Sequence, residues 1–184
     1  MIKSKNDLKR YLETEKRLYI AQAPYGQIVQ ILTCDINLKI YRFIKYLRHE
    51  EYHHNQAGFF HKLLRLYYWR KRSKLGGSLG IEMWDNTFDE GLQIYHAGNI
   101  VVNGSARIGK NCKLHGSNCI GNNGKTLMCP VIGNNVRLGV GAKIIGDVTI
   151  ADDVIIAAGA VVVHSVLEPG VTIAGIPAKK VSKL

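Results

Sequence analysis

Residues 102–162 read VNGSARIGKNCKLHGSNCIGNNGKTLMCPVIGNNVRLGVGAKIIGDVTIADDVIIAAGAVV. An aliphatic residue returns at every sixth place, at Val102, Ile108, Leu114, Ile120, Ile132, Leu138, Ile144, Ile150, Ile156 and Val162, and only position 126 breaks the series. Small or β-branched residues recur four places later in each unit, at Ala106, Cys112, Val136, Ala142, Val148, Val154 and Ala160. On an α-helix a sixfold spacing advances by about 600° and smears the apolar positions around the cylinder, so no helical stripe results. Six residues cannot bury a face alone; the unit must stack on copies of itself, which implies a parallel β-helix. Asn or Asp with Gly returns between the aliphatic positions, as in Gly109-Lys110-Asn111, Gly133-Asn134-Asn135 and Gly146-Asp147, and these residues suit tight corners. Three short faces per coil and eighteen residues per turn are expected.

Outside this stretch the chain changes character. Residues 1–75 hold sixteen of the 25 Lys and Arg and six of the fourteen acids, a net charge of +10, and the remainder carries +1. Apolar residues recur there at helical spacing, at Ile36, Ile40, Phe43, Ile44 and Leu47, and again at Phe59, Phe60, Leu63, Leu64, Tyr67 and Tyr68, so two to four helices are expected. Such basicity favours anionic surfaces or substrates, or is the solvated face of helices that cap the solenoid. No recognised nucleic-acid motif accompanies it, and a nucleic-acid partner is not expected. The Gly-rich run Leu75-Gly76-Gly77-Ser78-Leu79-Gly80 divides the chain into a basic helical region, 1–75, and a β-helix domain with a C-terminal cap, 76–184. Residues 81–99 do not keep the sixfold phase and are expected to form one or two irregular lead-in coils.

No apolar run of about 18 residues is present, and the N-terminus lacks the pattern of a signal peptide. A cytoplasmic location is expected, with the inner face of the membrane as the place where the basic helices would make peripheral contact. Cys34, Cys112, Cys119 and Cys129 show no metal spacing and read as free packing thiols. No metal is expected. A γ-type carbonic anhydrase would need three converging histidines, and His96, His115 and His164 are too widely spaced for that.

The segment Gly91-Leu92-Gln93-Ile94-Tyr95-His96-Ala97-Gly98-Asn99-Ile100 resembles the active-site coil of serine O-acetyltransferases, members of the hexapeptide-repeat acyltransferase family with a left-handed β-helix. The following coils, Ala106 to Cys112 and Cys119 to Lys125, align with that family without gaps. Gly139-Val140-Gly141-Ala142-Lys143-Ile144 is similar to its acetyl-CoA stretch, and Ala174-Gly175-Ile176-Pro177-Ala178-Lys179 to its closing segment. The resemblance covers about residues 78–184. It implies a trimeric acetyl-CoA-dependent O-acetyltransferase in which His96 is the general base, removing the acceptor's hydroxyl proton as that oxygen attacks the thioester. The family's orienting aspartate falls at Ile81, so Glu82 is the candidate to orient His96, with Asp85 and Asp89 as alternatives. Gly141, Ala142, Ala158 and Gly159 are the implied pantetheine contacts, and Lys179 and Lys180 the implied phosphate partners.

Two departures bear on the acceptor. Tyr95 stands where the family has an acid, and Met128-Cys129-Pro130 where it has an Arg-His-Pro triplet that holds the amino acid. Loss of these charges favours a sugar hydroxyl of a capsule, exopolysaccharide or lipopolysaccharide glycan, as in polysaccharide-biosynthesis O-acetyltransferases. The shorter N-terminal region and the lack of a long C-terminal tail point the same way. Tyr95, His115 and Lys125 are the expected acceptor contacts. The alternatives are a serine O-acetyltransferase of cysteine biosynthesis and a non-catalytic trimeric scaffold.

Overall fold

Three aliphatic ladders run up the inside of the C-terminal half. One joins Ile94, Leu114, Leu138, Ile156 and Ile173, a second Val102, Ile120, Ile144 and Val162, and a third Phe88, Ile108, Ile132 and Ile150, all within a few per cent of complete burial. Full burial of such a side chain contributes about 1.5–3 kcal/mol, so each ladder is a continuous source of stability. The small residues at Ala106, Cys112, Val136, Ala142, Val154 and Ala160 fill the corners between them and are buried. The computed structural model that shows this describes residues 1–181; positions 182–184 of the expected cap lie outside the described residues.

The chain forms two compact units, Met1–Leu79 and Gly80 onward. In the second, short parallel strands build three faces. The first face stacks β1 (Ile81–Glu82), β3 (Ile100–Val102), β6 (Cys119–Gly121), β9 (Lys143–Ile145) and β12 (Val161–Val162). The second stacks β4 (Arg107–Ile108), β7 (Val131–Ile132) and β10 (Thr149–Ile150), extended by single bridges to Phe88 and Val166. The third stacks β2 (Gln93–Ile94), β5 (Lys113–Leu114), β8 (Arg137–Leu138), β11 (Ile155–Ile156) and β13 (Thr172–Gly175), closed by the antiparallel β14 (Ala178–Lys180).

The register gives the pitch. Val131 pairs with Thr149, Arg137 with Ile155 and Lys143 with Val161, each eighteen residues on, as the hexapeptide period requires. Gln93 pairs with Lys113, twenty residues on, and Arg107 with Val131, twenty-four residues on. Insertions of two and six residues are therefore absorbed at the corners while the ladders stay in phase. The expected irregular lead-in is one full coil: Ile81, Phe88 and Ile94 all face the core and pair with Ile100, Ile108 and Leu114. At one corner Asn111, Asn135 and Asp153 take positive φ of 56°, 57° and 62° and hydrogen-bond up the stack, Asn111 Nδ2 to Asn135 Oδ1 at 3.0 Å and Asn135 Nδ2 to Asp153 Oδ1 at 2.9 Å.

The first unit holds α1 (Lys5–Tyr19), α2 (Pro24–Leu32), α3 (Ile36–His54) and α4 (Phe59–Leu79). Ser4 caps α1 in a capping box with Asp7, and Asp35 caps α3. Ile40, Phe43, Ile44 and Leu47 of α3 are buried, as their spacing predicts. Two buried ion-pair groups tie the helices: Arg48 Nε donates to Glu15 at 3.0 Å and Nη1 to Glu51 at 3.0 Å, and Arg72 Nε donates to Glu50 at 2.6 Å. The apolar series from Phe59 forms the expected helix, but Phe59, Phe60, Leu63, Leu64 and Tyr67 are exposed on it. The expected boundary at 75/76 also differs from the observed one. Helix α4 continues through Gly76, which is buried, and Ser78 Oγ bonds back to the Leu75 carbonyl at 2.7 Å, so the units divide after Leu79. Among the described residues, no helix is long and apolar enough to cross a membrane.

Candidate active site

His96 lies at the corner that leads from the third face to the first, where the extra two residues of its coil are accommodated: Ile94 and Val102 are eight residues apart, their partners Leu114 and Ile120 six. The enlarged corner pushes the imidazole outward, and it is exposed. Directly against it lies Gly116, with φ of +101°; a Cβ there would stand 3.2 Å from both the Cβ and the carbonyl oxygen of His96. Glycine is needed for the close approach as well as for the conformation. Backbone bonds fix the stack, from Ser117 N to the Gly98 carbonyl at 3.0 Å and from Gly141 N to the Gly116 carbonyl at 3.0 Å.

Asn118 supports this corner from inside. Fully buried, it accepts from Gly116 N at 3.0 Å and donates to the carbonyls of Gly139 at 2.8 Å and Ala142 at 3.3 Å. The sequence reading passed over it, although the signal was present: position 118 belongs to the column of small apolar residues at 106, 112, 136 and 142, and is polar. A polar residue in a core column marks backbone groups that need a partner.

Tyr95 and His115 meet beside His96, their rings stacked at 4.4 Å between centroids and 14° from parallel. Burial, and then the charges of Arg137, His96 and Lys113, hold His115 below the ordinary imidazole range, so it is neutral at physiological pH. Its Nε2 is buried without a hydrogen-bond partner among the described residues. His164 follows β12, at the far edge of the first face, so the three histidines do not converge.

Above His96 the same corner continues through Gly116, Gly141, Ala158 and Gly159, with Gly159 N bonded to the Val140 carbonyl at 2.8 Å. Three coil steps of about 4.8 Å give a column of small residues roughly 14 Å tall. Gly141 is partly open and Ala158 and Gly159 exposed, whereas Ala142 is fully buried. Its methyl packs the core, which leaves its backbone as the part that could meet pantetheine. Lys180 is engaged by Glu168, Nζ to carboxylate at 2.6 and 2.7 Å, and Lys179 is exposed on β14.

Two expected site residues lie elsewhere in the chain. Glu82 pairs with Val101 in mid-strand on the first face and lines an open groove of about 420 Å³ with Trp84, Asn103, Cys119 and Ile145. It makes no hydrogen bond or ion pair with His96 among the described residues, because the strand direction points its carboxylate onto the face rather than toward the corner. Ile81, at the family's acid position, is a core residue. Asp85 and Asp89 flank Phe88 on the second face, and Asp89 bonds the Glu90 N–H at 2.8 Å. Lys125 sits in the six-residue insertion, which leaves the far end of β6 while His96 precedes the paired β3, so the two lie at opposite ends of one face of the same chain. Asn123 Oδ1 holds that loop by accepting from Lys125 N and Thr126 N at 3.0 and 3.1 Å.

The family model for bacterial transferase hexapeptide, six repeats, matches residues 129–164. The serine acetyltransferase of Helicobacter pylori strain J99 is 36% identical over 95 residues, covering 50% of this chain and 55% of that one. That of Synechococcus elongatus is 34% identical over 92 residues, covering 49% and 37%. The structure of the Neisseria gonorrhoeae serine acetyltransferase superposes with a TM-score of 0.73 at 26% identity, over 98% of this chain and 68% of that one. The chain thus resembles serine acetyltransferases in sequence over about half its length and in fold over nearly all of it. The likeness makes its solenoid the left-handed form, and that of Brucella abortus, solved in complex with coenzyme A, shares the fold with a TM-score of 0.76 at 24% identity, over 97% of this chain and 69% of that one.

The chain spans between about a third and about half of the length of the curated relatives it matches. The expected glycan acceptor is corrected by these findings, since the relatives and the solved structures are serine acetyltransferases. The physical reason lies in the loop: Met128-Cys129-Pro130 belongs to the insertion beyond β6, and its composition is no readout of what stands next to His96 in one chain. Absence of a charged clamp was not positive evidence for a sugar.

Proposed function

We propose that the protein is an acetyl-CoA-dependent serine O-acetyltransferase that works as a homotrimer, with His96 as general base. The observation that carries this reading is the position of His96, on an enlarged corner against Gly116 and at the foot of a column of small residues that can seat a long, thin ligand. His96 takes the serine hydroxyl proton as that oxygen attacks the thioester carbonyl. The tetrahedral adduct collapses with cleavage of the C–S bond, and the imidazolium returns the proton to the departing thiolate. Gly141, Ala158 and Gly159 let the pantetheine arm approach the backbone, and Lys179 is the better placed of the two terminal lysines for a phosphate, because Lys180 is held by Glu168. Tyr95, fixed by His115, forms the acceptor wall next to the base.

A thiol-release assay with acetyl-CoA and L-serine tests the reading on wild type and His96→Ala. Turnover lost in the variant, with the trimer intact by light scattering, is the expected result. No turnover from a folded wild-type trimer would favour the non-catalytic scaffold.

A further inference from the structure

Helix α4 shows solvent a face of two halves. Phe59, Leu63, Leu66 and Tyr67 fall on one side at helical spacing, joined at the start by Phe60, and all are exposed, Phe60 by 77%. The same side continues into Arg70, Lys71 and Lys74, also exposed, and Lys71 Nζ lies 5.5 Å from the centre of the Tyr67 ring. The opposite side is occupied: Tyr68 stacks on His49 at 4.7 Å and Arg72 pairs with Glu50, both on α3. No acid occurs anywhere in α4.

Helix α2 repeats the theme with its amphipathicity inverted. Its glutamines turn inward, Gln27 Nε2 to the Ala21 carbonyl at 3.0 Å and Gln30 Nε2 to the Tyr19 carbonyl at 2.9 Å, while Tyr25, Ile28, Ile31 and Leu32 are exposed. Contiguous apolar patches of this kind mark interaction sites. Of the helical unit's six acids, Glu15, Glu50 and Glu51 are buried in ion pairs and Asp7 and Asp35 are tied to helix starts, so the outer surface is almost purely cationic.

We propose that the outward face of α4 is a docking surface for an anionic lipid bilayer. Phe59, Phe60, Leu63, Leu66 and Tyr67 enter the headgroup and acyl boundary, and Arg70, Lys71 and Lys74 meet the lipid phosphates. Charge decides between the occupants. A second copy seated through its own α4 would bring one acid-free helix against another and leave the basic half repelled, and a nucleic acid would leave the phenylalanines without an apolar partner. An anionic membrane surface complements both halves at once, and neither helix is apolar enough to cross it.

The test is co-sedimentation of the full chain with vesicles of phosphatidylcholine alone and of phosphatidylcholine with about one-third phosphatidylglycerol. The proposal expects partition onto the anionic vesicles only, weakened by salt. It expects a loss on the order of 100-fold in Arg70→Gln/Lys71→Gln/Lys74→Gln, three basic charges removed near the surface. Phe59→Ser/Phe60→Ser/Leu63→Ser should lose binding too, with helical circular dichroism unchanged. Equal partition onto both vesicles, or none onto either, overturns the proposal with wild type alone. A wild type that ignores vesicles and an apolar variant that sediments at lower mass would assign the face to another copy and also overturn it.

Discussion

Tyr95 lies flat on His115, their rings 4.4 Å apart and 14° from parallel, so the residue beside the candidate base takes its orientation from the next coil. Such a stack contributes about 0.5–1.5 kcal/mol beyond burial. In His115→Ala, Tyr95 is released, and KM for L-serine should rise by about 5-fold with kcat little changed; His115→Phe, which keeps the stack, should restore KM. Equal KM values for all three proteins would show that Tyr95 does not contact the acceptor.

Gly116→Ala should cost more than its single methyl suggests. The new Cβ would stand 3.2 Å from the His96 Cβ and carbonyl oxygen, at a backbone φ of +101° that alanine avoids. The corner must shift, with about 1–3 kcal/mol of strain, and kcat should fall by at least about 10-fold while the melting transition stays cooperative. Steady-state kinetics beside calorimetry separate the two effects.

Removing the Asn118 amide leaves Gly116 N, and the carbonyls of Gly139 and Ala142, without this partner inside the solenoid. Asn118→Ala is expected to lose about 1–3 kcal/mol in denaturant unfolding and to lower kcat through the loosened corner. Asn118→Asp should be worse, because a carboxylate would face two carbonyl oxygens.

Glu82→Gln is expected to leave the pH dependence of kcat unchanged, since Glu82 belongs to the groove on the first face and makes no bond to His96. A basic limb displaced by the substitution would place the carboxylate in the reaction after all.

Acid should weaken the helical unit through His49. Burial, then Lys45 and His53, push its pKa down to about 4, while its ring stacks on Tyr68. Above about pH 6.5 both folded and unfolded chains hold it neutral and nothing is lost. As pH falls from about 6.5 to about 4 the unfolded chain binds the proton and the folded one does not, so stability declines across that window and levels off below it. His49→Phe keeps the stack and removes the proton, and should flatten the fall in melting temperature between about pH 7.5 and about pH 4.5.

The solenoid was legible because its cause is periodic. Ile108 or Leu138 must face inward wherever the sixfold phase holds, and position 96 stood out by likeness to a known coil. What escaped the sequence was direction off the ladder. Glu82 neighbours Ile81 in the chain, yet one faces the groove and the other the core. Phe59 and Leu63 keep helical spacing, which shows the helix but not whether anything covers its face. Asn118 was hidden for the opposite reason, since its column reads as packing and its work is done on backbone groups that carry no letter of their own.

The register holds a further consequence. Coils of eighteen, twenty and twenty-four residues stack with their ladders aligned, so the wall of the solenoid is indifferent to what hangs from its edges. Residues can be added or taken away in a corner without any buried side chain changing neighbours. The edges are therefore where this architecture can acquire new chemistry cheaply, and the chain has used two of them, one for a histidine and one for a loop.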